Sequence, residues 1–204
     1  MTAIVDYGVG NLFSLLSSFH AIGECAAITS DGEEISKADR IVLPGVGAFA
    51  DAAEKLKKSG LDGAVVAAAK KGVPLLGICL GMQLLFDESY EYGVHKGLGL
   101  LSGKVTAIDD AGGRLKIPHI GWNALKIKKS PLFKYINDGD YVYFVHSYAA
   151  TECENSVIAT TEYGGTITAA VGRNNIYGCQ FHPEKSGETG LNILKAFSEL
   201  KKEL

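Results

Sequence analysis

Short aliphatic runs alternate with helical spacings of apolar residues through the first half of the chain. Ala3-Ile4-Val5-Asp6, a segment near Cys25 to Thr29, Arg40-Ile41-Val42-Leu43 and Pro74-Leu75-Leu76-Gly77-Ile78 read as strands. Between them, Leu12, Leu15, Leu16 and Phe19 form one apolar helical face, and Ala48 to Lys58 and Leu61 to Lys71 read as further helices. Glycine turns such as Gly8-Val9-Gly10-Asn11 and Pro44-Gly45-Val46-Gly47 close the strands. This order predicts an α/β fold with a mainly parallel central sheet flanked by helices, and a site at the carboxyl edge of that sheet.

The pattern changes after residue 100. Gly103–Ile108, Leu115–Ile117, Ala124–Ile127, Tyr141–Tyr148, Val157–Thr161, Thr166–Val171 and Ile176–Phe181 read as strands joined by polar or glycine turns, which predicts additional antiparallel pairing. An amphipathic helix from about Leu191 to Leu200 ends the pattern. With no linker, repeat or low-complexity tract, residues 1–204 are expected to form a single domain.

Composition narrows the function classes. A chain of 204 residues with 47% hydrophobic content can bury a full core. The net charge is −3, and basic residues are scattered apart from pairs such as Lys57-Lys58, Lys70-Lys71 and Lys128-Lys129, so neither nucleic acid nor an anionic membrane is expected as a partner. The amino terminus lacks a basic segment leading into an apolar run, and no apolar stretch reaches spanning length, so a cytoplasmic protein is expected. Cys25, Cys79, Cys153 and Cys179 include no Cys-x-x-Cys pair and are too scattered for a disulfide framework or a closed zinc site, and no metal or cofactor is expected. Gly8-x-Gly10 lacks the third glycine of a dinucleotide fingerprint, since Phe13 stands there, and Pro44–Gly47 lacks the Lys-Ser/Thr of a phosphate loop.

Of the cysteines only Cys79 has a chemical context. Gly77-Ile78-Cys79-Leu80-Gly81 reads as a strand turning sharply into a helix, with glycines two residues to either side where a strained elbow has no room for side chains. A thiol at a helix N-terminus is stabilised as thiolate by the backbone N–H groups and the dipole. Far downstream lies Gln180-Phe181-His182-Pro183-Glu184. Residues i and i+2 of an extended segment share a face, and Pro183 biases His182 away from helical backbone, so imidazole and carboxylate project together. Nucleophile, base and orienting acid are then Cys79, His182 and Glu184. A stand-alone cysteine hydrolase of similar fold and a non-catalytic module remain open beside an ammonia-producing enzyme.

The elbow with His182-Pro183-Glu184 resembles the class I, or triad, glutamine amidotransferases. Asp6-Tyr7-Gly8-Val9-Gly10-Asn11-Leu12, Pro44–Phe49, Gly121-Trp122-Asn123, Tyr143–Tyr148 and Phe181–Ser186 extend the likeness over nearly the whole chain, toward the glutaminase subunits of imidazole glycerol phosphate synthase. The first and third of these blocks argue against glutaminases that serve anthranilate, pyridoxal phosphate or guanylate synthesis. The resemblance implies that Cys79 attacks the glutamine side-chain amide, that His182 relays protons and that Glu184 fixes its tautomer. It implies an oxyanion site from Leu80 and the Gly45-Val46-Gly47 loop, with Gln83, Glu91, Ser147 and Tyr148 holding glutamine. It also implies a (β/α)8-barrel cyclase partner facing Asn11, Trp122, Asn123, Tyr143 and Lys185, which takes up the ammonia in making imidazole glycerol phosphate and an aminoimidazole carboxamide ribotide.

Overall fold

The computed structural model describes residues 1–110 and 112–202. In chain order it holds β1 (Thr2–Val5), α1 (Leu12–Ala21), β2 (Ala26–Thr29), α2 (Gly32–Lys37), β3 (Arg40–Leu43), α3 (Phe49–Lys58), α4 (Leu61–Lys70), β4 (Leu75–Ile78) and the single helical turn α5 (Leu80–Gln83). Then follow β5 (Glu88–Ser89), β6 (His95–Lys96), β7 (Lys104–Ala107), β8 (His119–Ala124), β9 (Lys126–Ile127), β10 (Tyr141–His146), β11 (Tyr148–Thr151), β12 (Val157–Glu162), β13 (Thr166–Arg173), β14 (Ile176–Cys179) and α6 (Gly187–Ser198).

An eight-stranded sheet runs in the order β2-β1-β3-β4-β14-β13-β12-β9. From β2 to β14 the neighbours are parallel, and from β14 onward they are antiparallel. The inner strands β1, β3 and β4 are buried on both faces, which is why they read as aliphatic runs. In β1, Ala3 and Val5 join Ile35, Phe49, Leu56 and Val65 in one core, while Ile4 joins Leu15, Phe19, Ile193 and Phe197 in the other. The first core is roofed by α2, α3 and α4 and the second by α1 and α6. The α/β class with a mainly parallel sheet and antiparallel additions is the one the sequence predicts.

Three expected strands differ. Leu115–Ile117 is bent, irregular backbone, because it follows a turn in which Gly112 and Gly113 have φ 72° and 83° and because Pro118 has no N–H to give a ladder. Tyr141–Tyr148 divides at Ser147: β10 pairs with β8, while β11 pairs with β7 in a second sheet of order β11-β7-β5-β6. Ala124–Ile127 divides at the buried Leu125 into the end of β8 and the start of β9. Of the elements not foreseen, α2 had a readable signal, since Asp31 caps it by accepting the Glu33 N–H at 2.7 Å and two glutamates fill its first turn. The final helix starts at Gly187, earlier than its apolar spacing suggests.

Candidate active site

The site forms where β1, β3, β4, β10 and β14 end. Cys79 follows β4 with φ 54° and ψ −112°, a left-handed conformation for a non-glycine residue. Its neighbours explain how that strain is held. A Cβ on Gly77 would lie 2.6 Å from the Gly81 carbonyl oxygen, and one on Gly81 would lie 1.9 Å from that of Leu43. The elbow therefore packs backbone against backbone, and the Cys79 N–H is tied across to the Cys179 carbonyl at 2.7 Å. The helix beyond is only the turn Leu80–Gln83, so its dipole is small and the local N–H groups matter more than the macrodipole.

A cavity of about 310 Å³ opens over the sulfur. Val46, Gly47 and Leu80, expected at the oxyanion, and Gln83, Glu91, Ser147 and Tyr148, expected around glutamine, all line it with Cys79 and His182. His182 and Glu184 leave the end of β14 together. The His182 Nδ1 lies 2.8 Å from Glu184 Oε1, with side-chain exposures of 3% and 1%. Burial opposes the charged imidazole, but hydrogen bonding to Cys79 and Glu184 outweighs it, and the His182 pKa is pushed up to about 9. The second carboxylate oxygen, Oε2, is buried without a partner among the described residues, so the imidazole is the carboxylate's partner here.

The Pro44–Gly47 loop is fixed at its base and free at its tip. Tyr7 donates its hydroxyl to the Pro44 carbonyl at 2.7 Å, and a Cβ on Gly45 would lie 2.6 Å from the Gly81 nitrogen. Val46 and Gly47 are exposed, and Gly47 has φ 91° with no atom near a Cβ. At the far end the Phe49 N–H, opening α3, donates to the Glu91 carboxylate at 2.5 Å. Glu91 thus both lines the cavity and anchors the loop's helical end. Gln83 is buried and donates its amide to the Tyr148 carbonyl at 3.0 Å and to Gln180 Oε1 at 2.9 Å. Its carbonyl oxygen is the end left to meet a ligand.

Residues expected at a partner surface lie on the rim. Trp122 is 53% exposed and meets Tyr143 edge-on at 6.0 Å across the β8–β10 pair, and Lys185 Nζ sits 5.9 Å over the Tyr143 ring. Asn11 precedes α1 and accepts from the Ser14 hydroxyl at 2.9 Å. Asn123 faces inward in part, with His119 on its Oδ1 at 2.9 Å and its amide donated to the Glu162 carbonyl at 2.9 Å.

Three further residues belong to the site. Tyr7 holds the loop base, and its hydroxyl is pushed well up by burial and by the charge of Cys79. His146 lines the cavity, and its Nδ1–H donates to the Tyr148 carbonyl at 2.8 Å, since a carbonyl only accepts. Burial pushes the His146 pKa down to about 4. Gln180 is fully buried beside the sulfur. It precedes His182 by two, so the period-two argument that pairs His182 with Glu184 also reaches it.

Comparison with known proteins identifies the family. The family model "Glutamine amidotransferase class-I" matches residues 3–199, and the chain belongs to that family. Within it, the chain groups with the HisH subunits of imidazole glycerol phosphate synthase. It is 52% identical to that of Lactococcus lactis subsp. lactis (strain IL1403), covering 96% of each chain. It is 48% identical to that of Bacillus licheniformis, covering 100% of this chain and 98% of the relative. Among solved structures, "Crystal structure of glutamine amidotransferase" matches with a TM-score of 0.74 at 18% identity, covering 96% of this chain and 98% of the other. That last match is a likeness of fold.

Proposed function

We propose that this chain is the glutaminase subunit of an imidazole glycerol phosphate synthase, hydrolysing glutamine to glutamate and ammonia for use in histidine biosynthesis. The observation that carries the reading is Cys79 at a strained elbow on the floor of the cavity, with the His182–Glu184 pair beside it.

In the proposed reaction the Cys79 sulfur attacks the glutamine side-chain carbonyl carbon, and the oxygen takes the negative charge. The Leu80 N–H and an N–H of the Val46-Gly47 segment receive that oxyanion; loss of one such donor typically costs ~3 kcal/mol of transition-state stabilisation. The C–N bond then breaks as the imidazolium of His182 gives its proton to the departing nitrogen, leaving ammonia and a glutamyl thioester. A pKa pushed up to about 9 keeps His182 protonated at neutral pH, ready for this step. Water next gives a proton to the neutral imidazole and adds to the thioester, and the C–S bond breaks to release glutamate and restore the thiolate–imidazolium pair. Glu184 holds the ring by Nδ1 throughout, so Nε2 faces the chemistry.

Free ammonia is protonated and lost near neutral pH, so its production is useful only beside an acceptor. The relatives' names describe a subunit, and we infer that the partner is the (β/α)8-barrel cyclase subunit, docked on the rim around Asn11, Trp122, Tyr143 and Lys185 with Asn123 at its edge. A cytoplasmic setting fits the four cysteines, all of which are free thiols. The test measures glutamate release by the chain alone and by the chain mixed with a purified barrel subunit and its nucleotide substrate. Glutamine hydrolysis that depends on Cys79 and rises sharply with the partner is expected; no hydrolysis in either setting overturns the reading.

A further inference from the structure

We propose that Gln180 is a catalytic residue, a fixed N–H donor to the Cys79 sulfur that favours the thiolate. This rests on the reading of Cys79 as nucleophile and adds a group to it. Gln180 Nε2 lies 3.7 Å from Cys79 Sγ, within hydrogen-bonding range for sulfur, and the side chain is fully buried.

Which end of an amide faces a neighbour is ordinarily an assignment, but here the network settles it. The Tyr148 carbonyl can only accept, so the Gln83 atom 3.0 Å from it must be the amino nitrogen. That nitrogen sits 2.9 Å from Gln180, so the facing Gln180 atom must be an acceptor, Oε1. Gln180 is thereby left with its NH2 toward Cys79. A donor in this place stabilises a charged sulfur and gains nothing comparable from a neutral one. The chain of contacts begins at Tyr148, which lines the glutamine cavity, so the orientation of the donor is set from the substrate side of the site. The backbone holds Gln180 as firmly: its N–H donates to the Ala169 carbonyl at 2.9 Å, and the residue before it carries the carbonyl bonded to the Cys79 N–H.

The donor is distinct from His182. His182 exchanges protons with the sulfur and substrate, whereas an amide N–H cannot be lost and acts as a permanent dipole. Its removal should therefore change the pH at which the thiolate forms while leaving proton relay intact.

The experiment follows alkylation of Cys79 by iodoacetamide across pH, read by mass spectrometry, in the full chain. Gln180→Met, similar in size but without a donor, should react roughly fivefold to fifteenfold more slowly on the rising limb of the pH profile, the loss of a hydrogen bond to a charged acceptor less the higher reactivity of a more basic thiolate. Its profile should move to higher pH and reach a plateau no lower than that of the unsubstituted protein. Gln180→Glu, which sets a carboxylate against the sulfur, should move it further. A lower plateau with an unmoved profile marks a packing role and overturns the proposal, as does an unchanged profile. In case the variants do not fold, the side-chain amide signal of 15N-labelled Gln180 in the unsubstituted protein should shift over the pH interval in which Cys79 reactivity rises; a signal that ignores that interval also overturns it. If Cys79 in the unsubstituted protein shows no selective reactivity toward a glutamine-like electrophile, the parent reading of the nucleophile fails instead.

Discussion

His182 Nδ1 and Glu184 Oε1 stand 2.8 Å apart with both side chains almost wholly excluded from water. The contact does two things: it fixes the tautomer, and it supports the positive charge that the proposed reaction uses at His182. The hydrogen bond to Cys79 is the larger support of the raised His182 pKa and remains in Glu184→Gln, which keeps the shape but removes the carboxylate's share, so the pKa should fall below about 9. For the unsubstituted protein, glutaminase kcat/KM should decline as pH rises through about 9, where the imidazolium is lost. In Glu184→Gln that alkaline decline should begin at lower pH, with kcat reduced roughly 10²-fold or more at neutral pH. A pH–rate profile of both proteins checks this, and an alkaline limb at the same pH in both contradicts it.

His182→Ala should cost more than Glu184→Gln, because it removes proton transfer itself. Cys79→Ser should be as inactive as His182→Ala, since members of one catalytic set fail together rather than additively. Single-turnover glutamate release from the three variants measures the order; a Glu184→Gln protein slower than His182→Ala would reverse the assigned roles.

Cysteine labelling separates chemistry from exposure. Cys25 is exposed, whereas burial pushes the Cys153 and Cys179 thiols up and shields them. A general alkylating agent should therefore reach Cys25 and Cys79. A glutamine-like electrophile should label Cys79 alone, with excess glutamine slowing the reaction. Mass mapping that finds the adduct on Cys25 would remove Cys79 from its role.

The elbow glycines give a stability test. Gly81→Ala places a Cβ 1.9 Å from the Leu43 carbonyl oxygen, and backbone must move to admit it. The expected loss is roughly 3 kcal/mol or more, in the range of strain and overpacking at special backbone positions. Gly63 lies inside α4 with no atom near its Cβ position, so Gly63→Ala should add about 0.5–1 kcal/mol by reducing unfolded-state freedom. Urea unfolding midpoints measure both, and equal effects would contradict the packing described.

The parallel half of the fold was legible in the sequence because strands buried on both faces spell themselves as aliphatic runs, and the glycines after β3 and β4 mark where the chain turns into the site. The second half was less so. Ser147 divides what reads as one strand because β10 and β11 belong to different sheets, a tertiary fact with no local signature. Among the site residues, Cys79, His182 and Glu184 carried their own spacing. Gln180 shares the period-two spacing of His182 and Glu184 but takes its meaning from the sulfur it faces, and His146 has no spacing signal and takes its meaning from the Tyr148 carbonyl. Asn123 read as a surface residue, yet its amide is partly spent on His119 and Glu162.

The proposed coupling of ammonia production to its use can be tested at the rim. Val46 and Gly47 are exposed at the tip of a loop whose base is held by Tyr7 and whose far end is held by Glu91, so a change of peptide orientation can be confined to the tip. Gly47 already has φ 91°, a conformation that leaves its neighbouring peptide planes free to reorient without a side-chain clash. A partner bound across Trp122, Tyr143 and Lys185 can bias that equilibrium only through a difference in affinity for the two loop states. Trp122→Ala should therefore leave the glutaminase rate of the lone chain within about twofold, because the indole is half exposed and its ring contact is with Tyr143. The same substitution should weaken assembly with the barrel subunit or its stimulation of hydrolysis by about tenfold or more, the loss expected of an aromatic interface anchor. Glutamate release titrated with partner, with and without the partner's nucleotide, reads both effects. A Trp122→Ala protein stimulated as strongly, and at the same partner concentration, as the unsubstituted chain would remove this face from the coupling.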